Sequence, residues 1–338
     1  MPATRTDEIT PFRIAIPQAD LDGLRQRLLT ARWPDELPEV GWDYGIPLQE
    51  TQDLAAYWRD GYDWRAWESR LNTFPQFQTV IDGQPIHFLH VRSPEPDAMP
   101  LILTHGWPGS FLEFIDVIGP LTDPRAHGGD PADAFHVVVP SIPGFTFSGH
   151  THDRGWDVRR IAQALKALME RLGYPRYGAQ GGDWGSAISR DLGLVAPEQV
   201  IGVHLNYLRI NPPAEAVPLQ PGEAERVEKL QQYNASVPGY IGIQSTQPQT
   251  LAYGLTDSPT GQLAWIAEKF HAWSDSRTPI TRDHLLTNVS LYWFTRTAGS
   301  AARIYYESAR GRGTPNPCPV PMGVAVFPCD ILRPVRSF

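Results

Sequence analysis

The sequence from residue 177 to residue 186 reads Tyr177-Gly178-Ala179-Gln180-Gly181-Gly182-Asp183-Trp184-Gly185-Ser186. This pattern predicts a short strand that turns at small residues and continues as a helix. Asp183 has small residues two positions away on either side, which is the spacing of a nucleophile elbow. In such an elbow the residue at the tip has a strained backbone, and the helix packs back over the strand. A glycine-rich turn with Asp183 as the helix N-cap explains this stretch alone equally well.

Strands and helices alternate around this stretch, which predicts an α/β fold with a doubly wound, mostly parallel sheet. The hydrophobic periodicity predicts strands at 12–16, 77–81, 86–91, 100–104, 135–139, 177–181, 200–205 and 320–327. It predicts helices at 20–29, 49–60, 63–72, 157–172, 184–194, 223–233, 259–273, 282–297 and 299–309, and a helix that begins near 111. Asp82-Gly83 predicts a tight hairpin turn between the second and third strands.

The order of these elements predicts four segments along the chain. We expect an N-terminal helical extension at 1–75, a first part of the α/β core at 76–206, and a helical cap at 207–317. The cap is expected because about a hundred residues of helical pattern separate two strands of one sheet. Residues 318–338 are expected to resume the core.

Composition excludes several classes of function. The 338 residues carry a net charge of −8, and no basic stripe with interleaved aromatic residues is present, which disfavours a nucleic-acid partner. No apolar run approaches the length of a membrane span, and the sequence begins without an apolar targeting segment. The two cysteines, Cys318 and Cys329, form neither a disulfide framework nor a metal-binding pattern. These features favour a reducing, cytoplasmic setting.

A second turn follows the strand that is expected to lie beside the strand of Asp183. It contains His105-Gly106-Trp107-Pro108. Because ligands bind at the carboxyl ends of such strands, the backbone N–H groups of Trp107 and Trp184 are expected to converge as an oxyanion hole. A simple turn would explain this motif alone, but its occurrence together with the elbow favours a site.

An aspartate nucleophile restricts the reaction. A carboxyl group with an unperturbed pKa of about 4 is ionised at neutral pH and needs no base to attack. Its attack on an amide would give a mixed anhydride that is less stable than the substrate. Attack on an sp³ carbon of an epoxide or alkyl halide gives an alkyl ester instead. Water must then attack the carbonyl carbon of that ester, which requires a general base.

The chain resembles the epoxide hydrolases of the α/β-hydrolase fold, in particular the microsomal-type group with an N-terminal helical extension, from about Pro11 onward. The resemblance is carried by His105-Gly106-Trp107-Pro108, Gly181-Gly182-Asp183-Trp184-Gly185, Gly239-Tyr240-Ile241-Gly242-Ile243-Gln244, Leu255-Thr256-Asp257-Ser258-Pro259, Glu268-Lys269-Phe270 and Leu291-Tyr292-Trp293. It implies hydrolysis of an epoxide to a vicinal diol, through an ester on Asp183 and without a cofactor or a metal.

The resemblance also implies roles for residues beyond the elbow. Tyr240 and Tyr305 match the two cap tyrosines that hold the epoxide oxygen and protonate the leaving alkoxide, with Tyr306 as the neighbouring alternative to Tyr305. Without the resemblance, core packing is the better explanation of each tyrosine. Asp330, after the strand that resumes the core, matches the acid that orients the base, although a helix N-cap would also explain it.

The base histidine of the family is expected after the acid, yet all ten histidines precede Asp330. None of them is a plausible substitute, and His105 belongs to the oxyanion-loop motif. We therefore expect the chain to be a truncated piece of a longer protein. A polypeptide of these 338 residues is expected to form the ester on Asp183 and to stall there.

Two alternative functions remain open from the sequence. A haloalkane dehalogenase also uses an Asp-Trp-Gly elbow, but it needs no tyrosine pair, and a ligand-binding member of the fold would need no base. Four tryptophans, Trp107, Trp184, Trp265 and Trp293, favour a bulky or aryl epoxide as the small-molecule partner. The sequence leaves open a homo-oligomer.

Overall fold

The computed structural model describes residues 8–210, 212–213, 215–235, 238–311 and 317–338, and the other positions of the predicted extension and cap lie outside the described residues. The strands are β1 (Thr10–Phe12), β2 (Gln76–Ile81), β3 (Gln84–Val91), β4 (Met99–Thr104), β5 (Phe135–Pro140), β6 (Tyr177–Gly181), β7 (Val200–Leu205) and β8 (Met322–Val324). The α-helices before the cap are α1 (Gln18–Leu29), α2 (Leu48–Asp60), α3 (Trp64–Leu71), α4 (Ile115–Thr122), α5 (Val158–Arg171) and α6 (Trp184–Val195). The helices between β7 and β8 are α7 (Glu223–Ala235), α8 (Gly239–Thr246), α9 (Pro248–Asp257), α10 (Pro259–Trp273), α11 (Arg282–Thr295), α12 (Ala298–Ala301) and α13 (Arg303–Arg310).

The strands form one eight-stranded sheet in the order β1-β2-β3-β5-β4-β6-β7-β8. The pairs β1-β2, β2-β3 and β3-β5 are antiparallel. The pairs β5-β4, β4-β6, β6-β7 and β7-β8 are parallel. Strand β4 lies directly beside β6, with Thr104 opposite Gly181 at the carboxyl ends. The turn at 105–108 and the turn at Asp183 therefore leave the same edge of the sheet, as the sequence predicted.

The hairpin between β2 and β3 turns at Asp82 and Gly83, whose φ angles are 52° and 73°. Positive φ at both central positions is the conformation that an Asp-Gly turn between twisted strands requires. The prediction of a strand at 12–16 was wrong, because β1 ends at Phe12. Beyond it, the side chain of Asn72 accepts from the N–H of Ile14 and donates to its C=O, which replaces strand pairing there.

The prediction of a strand over 320–327 was too long. Backbone hydrogen bonds to β7 end where Ala325 donates to the C=O of Leu205 at 2.8 Å. Val326 and Phe327 are 44% and 52% exposed, and no described strand lies beyond β8. Because β7 itself ends at Leu205, the residues after Ala325 have no strand of the described chain beside them to pair with.

The sequence pattern missed helices α8 and α9, which lie between the predicted helices at 223–233 and 259–273. The predicted helix at 282–297 ends earlier because Arg296 takes a left-handed conformation with φ 57°, which closes α11. The segment predicted as one helix at 299–309 is two helices, α12 and α13, that meet at Ala302.

The N-terminal helices pack against the helices inserted between β7 and β8. The indole N–H of Trp58 on α2 donates to Ser290 Oγ on α11 at 2.9 Å, and the hydroxyl of Tyr57 donates to Asp283 at 2.8 Å. Side chains from α1, α2, α5, α6 and the inserted helices share one buried hydrophobic cluster on one face of the sheet. Among the described helices, none is both long and apolar enough to cross a bilayer.

Candidate active site

The backbone of Asp183 is strained at the tip of the turn between β6 and α6. Its φ and ψ are 51° and −122°, a combination that L residues rarely adopt. A Cβ atom on Gly181 would lie 2.0 Å from the carbonyl oxygen of Gly185, and a Cβ on Gly185 would lie 1.9 Å from that of Thr104. The small residues on both sides of Asp183 are therefore required by the close approach of α6 to the sheet.

Two backbone N–H groups donate to the carboxylate of Asp183. The N–H of Trp107 lies 2.8 Å from Asp183 Oδ1, and the N–H of Trp184 donates to the same carboxylate. These donors come from the ends of adjacent strands β4 and β6. The arrangement brings together the two backbone groups that the sequence proposed as an oxyanion hole.

Desolvation raises the pKa of Asp183 to about 6, and the negative charge of Asp330 adds to this rise. The N–H donors of Trp107 and Trp184 oppose it, because they stabilise the ionised form. The carboxyl group therefore remains ionised at neutral pH while it is largely removed from water.

The inserted helices place two tyrosines over the elbow. The ring of Tyr240, on α8, stacks on Trp107 with 5.4 Å between centroids and 12° between planes. The ring of Tyr305, on α13, lies 4.8 Å from Trp184 and 5.9 Å from Tyr240. Desolvation raises the pKa of both phenols, and the charge of Asp183 adds to the effect, so both remain protonated at neutral pH.

Tyr305 and Tyr306 point to different surroundings. Tyr305 is 6% exposed and lies among the aromatic rings of the site. The ring of Tyr306 lies 3.6 Å below the guanidinium carbon of Arg310, away from those rings. Of this adjacent pair, the structure brings Tyr305 to Asp183.

A cavity of about 460 Å³ opens between the end of the sheet and the inserted helices, and Asp183 lines it. Aromatic side chains of Trp107, Phe270 and Trp273 form part of its wall. Of the four tryptophans that the sequence suggested, Trp107 is the one that lines this cavity in the described residues. Trp293 instead packs near the guanidinium of Arg27.

A second carboxyl group, Glu113, lines the cavity and was not identified from the sequence. Glu113 is exposed to solvent on its outer side, and it lies near enough to Asp183 for the charge of that carboxylate to oppose its ionisation. A Cβ on Gly109 would overlap the end of the Glu113 side chain, so the Glu113 carboxylate lies directly over Gly109. The position of Glu113, shortly after the turn at 105–108, was the signal that could have indicated it.

Two further tyrosines were also missed. Tyr207 lines the cavity, and the hydroxyl of Tyr233 hydrogen-bonds to Tyr240. Tyr207 follows Asn206 at the carboxyl end of β7, and this place in the sequence could have indicated it. Nothing in the local sequence distinguishes Tyr233 from other residues of α7.

Asp330 lines the cavity from the loop after β8 and is half-buried. Its carboxylate accepts from the N–H groups of Ile331 and Leu332, so it also has the contacts of a turn cap. No histidine lines this cavity in the described residues, which include all ten histidines. His105 is fully buried, with Nε2 accepting from the N–H of Ile142, and His271 stacks on Trp42 at 3.5 Å.

The described part of the chain contains no group of three or more histidine, cysteine, aspartate or glutamate residues placed to hold a metal ion. The chemistry of the site is that of a strained aspartate with two backbone donors on one side and protonated phenols on the other. A parallel sheet with this elbow under inserted helices defines an α/β hydrolase with an aspartate at the nucleophile position.

Comparison with known proteins gives the family. Sequence families described as "Epoxide hydrolase N terminus" and "alpha/beta hydrolase fold" match residues 9–114 and 99–239. The chain is 47% identical over 332 residues to the "Putative epoxide hydrolase" of Stigmatella aurantiaca, with 96% of this chain and 75% of that protein covered. It is 35% identical over 368 residues to "Epoxide hydrolase 1" of Sus scrofa, with 98% and 81% covered.

The solved structure of the Aspergillus niger epoxide hydrolase is 34% identical, with a TM-score of 0.88, and 98% of this chain and 86% of that chain are covered. The chain therefore belongs to the epoxide hydrolases of the α/β-hydrolase fold. This finding confirms the family, the fold class and the enzyme class that the sequence predicted.

Proposed function

We propose that the protein hydrolyses an epoxide through a covalent ester on Asp183. The observation that carries this proposal is the geometry around that carboxylate. Two backbone N–H groups hold it, and the phenols of Tyr240 and Tyr305 lie near enough for its charge to raise their pKa. Family membership supports the reaction class, and the geometry supports the assignment of roles.

In the first step, a carboxylate oxygen of Asp183 attacks one epoxide carbon. An O–C bond forms as the C–O bond of the epoxide ring breaks. The departing oxygen takes a proton from Tyr240 or Tyr305, since a phenol is acidic enough to donate to an alkoxide. The product of this step is a hydroxyalkyl ester of Asp183.

In the second step, water attacks the carbonyl carbon of that ester, and the diol leaves with the alkyl oxygen. The N–H groups of Trp107 and Trp184 would stabilise the oxyanion, because they already point at this carboxyl group. Asp330 lines the same cavity and would orient a histidine base. In a polypeptide of residues 1–338, we expect this second step to be slow.

The cavity wall supports a bulky or aryl epoxide as substrate. Trp107, Phe270 and Trp273 give it an aromatic side, and the volume of about 460 Å³ accommodates a substituted ring. Asp183 lines the same cavity beside Trp107, and the reacting carbon would sit there.

Alkylation by a simple aryl epoxide such as styrene oxide, followed by mass spectrometry, tests the assignment of roles. We expect Asp183→Asn to abolish the ester, and Tyr240→Phe and Tyr305→Phe each to slow its formation by about 100-fold, the scale of a lost general acid. Tyr306→Phe is the matched control and should keep the rate. If only alkyl halides formed the ester, and the tyrosines had no effect, a dehalogenase would be the better assignment.

A further inference from the structure

One buried cation of the cavity has no role in the reaction described above. Lys269 lies on α10, is 6% exposed and lines the cavity that contains Asp183. The other two lysines of the chain, Lys166 and Lys229, lie outside this cavity and are more exposed. Removal of a lysine ammonium from water is costly unless contacts compensate for it. The contacts of Lys269 therefore indicate what its charge does.

The ammonium of Lys269 contacts one carboxylate and two aromatic rings. It pairs with Glu268, the preceding residue. Its Nζ lies 4.8 Å from the centroid of the Tyr240 ring and 5.4 Å from that of Trp265. Both distances are within the range of a cation–π interaction, which strengthens when the cation is desolvated.

The ring of Tyr240 is held by aromatic and cationic neighbours together. Trp107 stacks on it, and Trp273 lies 5.4 Å from it at 57°. The titratable groups that act on its phenol come from several elements. Asp183 at the elbow, Tyr207 after β7 and Tyr233 on α7 act on the phenol, while Lys269 on α10 and Tyr305 on α13 lie against the ring.

Among these groups, Lys269 is the cation that lies over the ring of Tyr240. Asp183, Tyr207 and Tyr233 make ionisation of the Tyr240 phenol harder. When Tyr240 donates its proton, negative charge develops on the phenol oxygen and spreads into the ring. A cation over that ring is attracted more strongly to the charged form than to the neutral form. Such an interaction lowers a barrier because it grows as the reaction proceeds.

We propose that Lys269 is a positioning residue for the proton donor: its buried ammonium fixes the ring of Tyr240 and stabilises the negative charge that develops there as the epoxide opens. This inference rests on the proposed function, since it needs Tyr240 to protonate the epoxide oxygen. A purely structural ammonium would instead act through Glu268 and Trp265, with no dependence on Tyr240.

A double-mutant cycle on ester formation separates these two roles. We expect Lys269→Met to slow alkylation of Asp183 by styrene oxide by about 10- to 30-fold, the scale of a desolvated cation–π interaction. Lys269→Arg should keep most of the rate, because the cation is retained. In a Tyr240→Phe background, Lys269→Met should cost less than about twofold. Lys166→Met, on a partly exposed lysine of α5, is the matched control and should have no effect.

The same loss from Lys269→Met with and without the Tyr240 hydroxyl would overturn the inference, as would no loss at all. Absence of the ester in the unsubstituted protein would contradict the proposed function instead.

A second measurement evaluates Lys269 without any turnover. Tyrosines are replaced biosynthetically by 3,5-difluorotyrosine, whose phenol has a pKa well below that of tyrosine. The ¹⁹F NMR signal of residue 240 is identified because it disappears in Tyr240→Phe. We expect Lys269→Met to raise the pKa of this phenol, and Lys166→Met to leave it unchanged, because only the first removes a cation from the ring. An unchanged pKa in Lys269→Met would overturn the role of the cation.

Discussion

Asp183 combines three properties that its amino-acid type alone does not supply. A strained backbone presents it at the tip of a turn, two N–H groups fix its carboxylate, and desolvation raises its pKa to about 6. The strained backbone of Asp183 was predictable from the sequence, because the spacing of small residues around it is enough to indicate such a turn. The pKa depends on Asp330 and on the surrounding walls, which distant parts of the chain provide.

The raised pKa of Asp183 gives ester formation a definite pH dependence. The ionised carboxylate is the nucleophile, so the rate should be constant above about pH 6 and fall about tenfold per pH unit below it. Asp330→Asn should move the midpoint of this pH profile to a lower pH, because the charge of Asp330 raises the pKa of Asp183. A rate that rises on the acid side, measured by quenched mass spectrometry, would contradict this assignment.

At the scale of elements, the turn between β6 and α6 was predictable because its glycine pattern has a steric cause. Helices α8 and α9 were missed because glycines and prolines interrupt their pattern at Pro238, Gly239 and Pro248, although proline is tolerated at a helix start. The end of β1 could not be predicted, since it depends on the side chain of Asn72 from another element. Local sequence patterns thus predicted the turn between β6 and α6, whose shape local steric contacts determine, but not the end of β1, which depends on a distant side chain.

Two glycines of the elbow provide a matched pair of substitutions. A Cβ at Gly185 would lie 1.9 Å from the Thr104 carbonyl oxygen, whereas the nearest atom to a Cβ at Gly182 is Asn206 Cβ, at 3.8 Å. We expect Gly185→Ala to reduce the free energy of unfolding by about 4 kcal/mol or more, because α6 must move from β4. Gly182→Ala should change it by about 1 kcal/mol or less. Urea unfolding followed by circular dichroism measures both, and equal losses would show that α6 does not approach β4 this closely.

At the scale of the whole molecule, the site is assembled from parts of the chain that lie far apart in sequence. The order of strands places the turn after β4 beside the elbow after β6, and alternation of strands and helices was enough to predict this. The packing of the inserted helices over the end of the sheet brings four further residues to the site, which are Glu113, Tyr207, Tyr233 and Lys269. Single-residue patterns carry little information on such contacts. The resemblance assigned roles to Tyr240 and Tyr305 but none to these four, although Lys269 stands in one of its motifs.

The central claim, that Asp183 is the nucleophile, is tested most directly by reaction with styrene oxide in H₂¹⁸O under single-turnover conditions, followed by peptide mass mapping. We expect one adduct per chain, as an ester on Asp183, and ¹⁸O in the Asp183 carboxylate of every chain that has released diol. Both signals should be absent in Asp183→Asn. An adduct on another residue, or diol that carries the ¹⁸O itself while Asp183 stays unlabelled, would contradict the account.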